Sequence, residues 1–277
     1  MNAIEFSGWI FLSSLLAGLL GALTGLGGGV VIVPVLTILF HIDIRYAIGA
    51  SLVSVIATSS GAAASYVREG FSNLRIGMFL EIATTLGALL GAYLTAKIST
   101  HAIGILFGIV LLYSAYSSLR TRHDRQNGAP DALALRLRLK GSFPGDAGRE
   151  SYVAQHVPAG FGLMFTAGTL SGLLGIGSGA VKVLAMDQAM RLPFKVSTTT
   201  SNFMIGVTAA ASAGIYLSRG YISPELAMPV MLGVLGGSLI GSRILVSAPV
   251  RTLRLIFAAV IVGLGVEMIY NSVAGRL

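Results

Sequence analysis

Ala17-Gly18-Leu19-Leu20-Gly21-Ala22-Leu23-Thr24-Gly25-Leu26-Gly27-Gly28-Gly29 returns 150 residues later as Ala167-Gly168-Thr169-Leu170-Ser171-Gly172-Leu173-Leu174-Gly175-Ile176-Gly177-Ser178-Gly179. The offset holds without a gap from residues 17–91 onto 167–241, with 18 identities in 75 positions. Ser51/Ser201, Thr58/Thr208, Tyr66/Tyr216 and Gly87/Gly237 are among them. Two halves that each open on a Gly-interrupted hydrophobic segment point to a transporter-type architecture with its site between the repeats.

Composition sets the class. The chain is 54% hydrophobic and only 11% charged, against about 25% charged in an average soluble domain. It therefore reads as polytopic and membrane-embedded. The net charge of +8 sits mostly between apolar spans, as loops on the positive side of a membrane require. No basic run is interleaved with aromatics, so no nucleic-acid partner is expected. With no cysteine in the chain, disulfides and thiolate metal sites are excluded. Residues 7–24 lack a small-residue cleavage pattern and belong to the repeat, so they read as mature structure rather than a signal peptide.

Each half holds one long interrupted segment and three ordinary spans: about 7–40, 46–67, 75–96 and 102–119, then 159–190, 196–217, 225–246 and 252–271. A single crossing takes roughly 20 residues, so the later segments suit one each. The leading segments are too long for one crossing and short for two. Gly25 to Gly29 and Gly175 to Gly179 would break each into a helical hairpin that enters and leaves on one side. Three crossings per half would invert the second half. Thirteen Lys/Arg then gather on one side, from Arg68 to Arg254, against Arg45, Lys97, Arg219 and Arg276 on the other. The positive-inside rule favours that arrangement and places the basic central stretch in the cytoplasm.

The expected fold is thus an all-α polytopic membrane protein of two inverted repeats, each a Gly-broken helical hairpin followed by three transmembrane helices. Repeat 1 covers residues 1–119, a cytoplasmic connecting loop 120–157, and repeat 2 158–277. Within the loop, Ala132 to Lys140 alternates apolar and basic residues, which suits a linker better than an interfacial helix. The plasma (inner) membrane is the expected location, and a homodimer is compatible with the reading.

The two glycine clusters, Val33-Pro34-Val35-Leu36, and the hydroxyl-rich Ala50-Ser51 and Thr199-Thr200-Ser201-Asn202 together resemble the TauE/SafE, or sulfite exporter, family of membrane transporters. The likeness spans nearly the whole chain outside the central loop. It implies a transporter of small sulfur-containing anions such as sulfonates, sulfoacetate or sulfite, with no cofactor. One departure is Leu184, which stands where the repeat would place a proline matching Pro34.

Several residues are candidates for binding an anion. Lys182 lies three positions past Gly179, flanked by Val181 and Val183, and its repeat mate is Ile32. An ammonium at the centre of a membrane span costs roughly 2.5–3.5 kcal/mol and calls for an anionic partner or substrate. Asp187 is the structural alternative, at a spacing of five that suits a helix poorly. Gly27, Gly28, Gly29, Gly177, Ser178 and Gly179 would offer backbone amides, or a hydroxyl, at helix starts, where the macrodipole favours an anion. Ser201 and Asn202, with Ser51 as the first-half equivalent, are polar groups better used against a ligand than lipid, although interhelical bonds also explain them. Arg243 is a further candidate that snorkelling to the membrane edge also accounts for. Glu81, whose mate is Met231, would relay protons or pair with Arg75. Gly233, Gly237 and Gly241, spaced by four, read as helix packing.

Two competing readings remain. A channel-like permease for other small carboxylates would use the same site without alternating access. An intramembrane hydrolase would need Ser178 activated by Lys182, four residues on, since the four histidines all fall in loops. The expected protein is not an enzyme.

Overall fold

The computed structural model describes residues 2–24, 28–68, 72–119, 131–145, 148–245 and 250–275. Its first half runs α1 (Ala3–Thr24), α2 (Gly29–Pro34), a π turn (Val35–Leu39), α3 (Ile44–Arg68), α4 (Leu74–Leu94) and α5 (Thr100–Leu119). After α6 (Ala132–Arg136) and a hairpin of β1 (Lys140–Gly145) and β2 (Gly148–Val153), the series repeats. It comprises α7 (Val157–Leu174), α8 (Gly179–Leu184), a π turn (Ala185–Ala189), α9 (Phe194–Ser218), α10 (Pro224–Leu245) and α11 (Val250–Val273). Helices α2, α3, α8 and α9, and both π turns, match across the 150-residue offset at both ends.

Burial is that of a membrane protein. On α4, Met78, Ile82, Leu86 and Leu90 form an exposed apolar stripe, while Glu81, Thr84 and Gly91 face inward. Leu74–Leu94, Thr100–Ser117 and Val157–Leu174 are long and apolar enough to cross a bilayer. Without water to favour apolar burial between helices, association falls to close backbone approach and interhelical hydrogen bonds. Glycine supplies the approach on α4 and α7. A Cβ at Gly87, Gly91, Gly168 or Gly172 would strike the carbonyl oxygen of Phe165, Thr169, Thr84 or Ala88, well inside van der Waals contact. The same seam joins α1 to α10, where Gly18 abuts Val234, Gly233 abuts Phe11 and Gly237 abuts Leu15. Gly233 and Gly237 are therefore packing residues.

These two seams exchange under the repeat, because α1 corresponds to α7 and α10 to α4. The remaining equivalents pair with each other, α3 with α9 and α5 with α11. Gly49 near the start of α3 lies against Tyr221 just past the end of α9. At the other end, Asn73 beyond α3 donates from its amide to Thr200 Oγ1 near the start of α9 (3.0 Å). Helices α3 and α9 hence run antiparallel to each other.

Each leading segment folds back on itself. In the first, Phe6 and Phe40 stack edge to face at 5.8 Å, bringing the two feet together. In the second, the Gln155 amide donates to the Met190 carbonyl (3.0 Å). The return arms lose α register in matching places. Pro34 has no amide hydrogen to donate, which suits the break in the first arm. Leu184 removes none, yet the second arm has the same turn. Ile42 N bonds Leu36 O (3.1 Å) and Leu192 N bonds Met186 O (3.0 Å), with His41 and Arg191 both at φ 52°. The shape belongs to the fold and not to the proline.

The central stretch corrects the linker reading for its described part. Asp131 Oδ1 accepts from Leu133 N to cap α6 (3.1 Å), and its Oδ2 accepts from Val157 N at the start of α7 (2.9 Å). Ala134, Leu139, Phe143, Tyr152 and Ala154 are buried against Ile76, Met190, Leu192 and Val196. Asn73 ties this cap to α4, donating from Nδ2 to Tyr152 OH (2.8 Å). Its Oδ1 meanwhile accepts from Ile76 N as the helix N-cap (3.1 Å). Burial pushes the Tyr152 phenol above its usual value, which the Asn73 hydrogen bond partly offsets.

Candidate functional site

Lys182 has no exposed surface. It is carried by α8, the short arm after the second glycine break, and its ammonium donates to Thr208 Oγ1 (2.6 Å) and the Met204 carbonyl (3.4 Å). Thr208 in turn donates to Glu81 Oε1 (2.7 Å), with the Met204 carbonyl at 2.8 Å as its other acceptor. Thr85 donates to the same Oε1 (3.1 Å), while Oε2 is buried without a hydrogen-bond partner among the described residues. Glu81 is 8% exposed. A buried cation and a buried carboxylate are thus joined through one hydroxyl on α9, near the middle of its 25 residues.

Neither member takes the structural partner that the sequence offered it. The described contacts of the Lys182 ammonium are to Thr208 and Met204, not Asp187. Glu81 turns to Thr85 and Thr208, not Arg75. Lys182 and Glu81 each break the internal symmetry, their mates being the apolar Ile32 and Met231. The two exceptions meet. Thr208 has a threonine mate, Thr58, whose hydroxyl among the described residues bonds carbonyls of its own helix, at Ser54 and Val55.

The two hairpin apices also meet. A Cβ on Gly29 would come within 2.6 Å of Ser51 Oγ and 3.1 Å of the Gly175 carbonyl from the other half. Ser51 donates to that same carbonyl (2.7 Å). Ser201, its equivalent, reaches the Gly179 carbonyl at 3.4 Å. Ser178 donates to the Ala167 carbonyl (2.6 Å) and takes φ 43°, in the left-handed region that Gly175 and Gly177 also occupy. Left-handed backbone is strained for a serine, and such strain concentrates at functional and switching sites.

The sequence candidates thus divide. Gly28, Gly29, Gly177, Ser178, Gly179, Ser51 and Ser201 gather around the apices, and the three hydroxyls spend their protons on main-chain carbonyls. Lys182 leaves the first turn of α8 to meet Thr208, seven residues along α9 from Ser201, or roughly 10 Å of helix. Asn202 is half-buried on the neighbouring face of α9. Gly27 lies outside the described residues, and so does the side chain of Arg243. Ser178 and Lys182 turn to different partners, so the nucleophile–base contact that a hydrolase requires is not formed. Sequence reasoning weighed Glu81 without placing it here and missed Thr208. The signal for Glu81 was its unmatched charge opposite Met231.

An all-α membrane protein with two Gly-broken hairpins meeting at its centre, and a buried charge pair beside them, has the build of a secondary transporter. The match to known proteins agrees: residues 10–268 fit the profile of the Sulfite exporter TauE/SafE family. The chain belongs to that family and is a membrane transporter. It is similar to the "Probable membrane transporter protein YunE" of Bacillus subtilis, with 27% identity covering 94% of this chain and 96% of the relative. A second Bacillus subtilis relative, the "Probable membrane transporter protein YdhB", is 27% identical over 84% of this chain and 88% of its own. A "Probable membrane transporter protein" of Xylella fastidiosa shows 24% identity over 92% and 93%. No solved structure matches the chain.

Proposed function

We propose that the protein carries small sulfur-containing anions, such as sulfonates, sulfoacetate or sulfite, across the plasma (inner) membrane by alternating access, running outward as an exporter. The cap of residues 131–157 faces the cytoplasm. The observation that carries this reading is Lys182. An ammonium has three N–H donors, and two protein acceptors are described around it in a wholly buried position. A third acceptor can be an oxygen of the substrate. The apices beside it join the two halves, with Ser51 of the first donating to the Gly175 carbonyl of the second (2.7 Å). Rocking one half on the other would open the site to each side in turn, and the buried Lys182 is what an occluded intermediate would show. The sulfur in the substrate comes from the family; the negative charge comes from the residues.

The test is thermal stability of the purified protein against sulfite, sulfoacetate, taurine, sulfate and acetate. An anion at a hundred times its Kd adds about 2.7 kcal/mol to the folded state and raises the Tm. A sulfonate or sulfite should stabilise the wild type and leave Lys182→Met unmoved. Stabilisation by acetate alone would replace the sulfur reading with a carboxylate one. Equal stabilisation of both proteins would remove Lys182 from the site.

A further inference from the structure

The position of Glu81 bears on what travels with the anion. We propose, building on the anion-binding reading of Lys182, that Glu81 takes up one proton each time an anion occupies the Lys182 site, so that anion and proton cross together.

The argument is one of charge. Buried ions in a membrane must be compensated on the spot. In the empty site Lys182 and Glu81 neutralise each other through Thr208. An anion accepted by the Lys182 ammonium would leave the site with a net negative charge, unless the carboxylate is discharged. No other ionised group faces the pair among the described residues. Helix α4 packs on α7 and α9. Helix α7 contains no ionisable side chain, and the groups α9 turns to the pair are Met204 and Thr208. On α4 itself, Arg75 and Tyr93 lie exposed near the two ends. Asp187, the other ionisable residue of the α8 arm, is half-buried on the turn five residues past Lys182.

The geometry provides for the proton. Glu81 Oε1 is already engaged by Thr85 and Thr208, but Oε2 is buried and unpartnered. A proton can bond there without displacing an existing hydrogen bond, and it removes the cost of an unsolvated carboxylate oxygen. Thr208 has a second acceptor waiting, the Met204 carbonyl at 2.8 Å. Its hydrogen points to Glu81 while the carboxylate is charged and can swing to Met204 once the charge is gone. The step is balanced: one proton from solvent forms an O–H bond on Oε2, the anion joins the ammonium, and the net charge of the site does not change.

The experiment is calorimetric titration of the wild type with methanesulfonate, a fully ionised anion near neutral pH, in two buffers of different ionisation enthalpy. The wild type should take up about one proton per anion bound, and affinity should fall about tenfold per pH unit once Glu81 is ionised in the empty protein. Infrared difference spectra on adding methanesulfonate should show a new protonated-carboxyl band that Glu81→Gln lacks and Glu81→Asp retains at a shifted frequency. Binding with no proton uptake would overturn the proposal, and so would a carboxyl band that survives in Glu81→Gln. Should neither methanesulfonate nor sulfite bind the wild type, the anion reading itself falls first, and this proposal with it.

Discussion

Replacing Lys182 and Glu81 by the residues that the first half carries in the same places tests whether the pair is a functional addition to a fold that does not need it. The variants are Lys182→Ile and Glu81→Met, each alone and both together. Contacts of 2.6 and 2.7 Å through Thr208 keep the ammonium and carboxylate within about 5 Å of each other. At an effective dielectric of about 20 that separation corresponds to roughly 3 kcal/mol of attraction. Removing one partner leaves the other charge buried alone, which costs about 3–5 kcal/mol. Removing both leaves no buried charge, and Thr208 keeps an acceptor in the Met204 carbonyl. The double variant should therefore lose about 3 kcal/mol less than the two singles summed, which is the coupling energy of the pair. Unfolding by SDS titration in mixed micelles reads the stability, and flux in liposomes reads the function. The double should be folded and inactive. Strictly additive losses in the double variant would refute the electrostatic link; a double that still transports would refute the site.

Glycine substitutions should change sign with position. Gly87→Ala or Gly172→Ala forces α4 and α7 apart and should cost about 1–3 kcal/mol in the same assay. Gly236→Ala, with nothing within 4 Å of the new Cβ, should gain roughly 0.5–1 kcal/mol of helix stability. Tyr152→Phe removes the bond from Asn73 and should loosen the cap by about 0.5–1.5 kcal/mol, seen as faster proteolysis of residues 131–157. Because burial raises the Tyr152 phenol, its neutral form is the one that fits the fold. Its contribution to stability is complete below about pH 10 and declines as pH climbs beyond it, which alkaline proteolysis can follow.

The repeat, the hairpin breaks and the isolation of Lys182 were all visible in the sequence, because apolar patterning and glycine spacing are local properties. The partner of Lys182 was not. Glu81 lies on α4 of the first half, and the bridge is a threonine whose own mate, Thr58, does nothing of the kind. Only the packing of α4 and α8 on α9 brings the three together, and no local pattern encodes that. The two unmatched charges were the available clue: residues that depart from the repeat in opposite sign are natural partners. Pro34 misled in the other direction. Its absence at Leu184 suggested a different arm, but the register slip comes from how the arm is packed and closed. The cap escaped notice because alternating Leu and basic residues look solvated, while its anchors, Phe143 and Tyr152, are held by a strand pairing that sets Phe143 opposite Glu150 and Gly141 opposite Tyr152.

The two glycine seams also govern how the molecule is made. Helix α1 finds its main partner in α10, and Gly18 rests on Val234, over two hundred residues further along the chain. At a synthesis rate of about 5–20 residues per second, α1 waits roughly 10–40 s in the bilayer before that partner exists. Helix α4 waits in the same way for α7, and α5 for α11. The first half thus leaves the ribosome with its largest docking faces unfilled, each addressed to a helix not yet translated. A nascent chain that stalls after α5 inserts its helices but has nothing to close them against. Assembly is settled late, when the second half threads its helices between those already waiting.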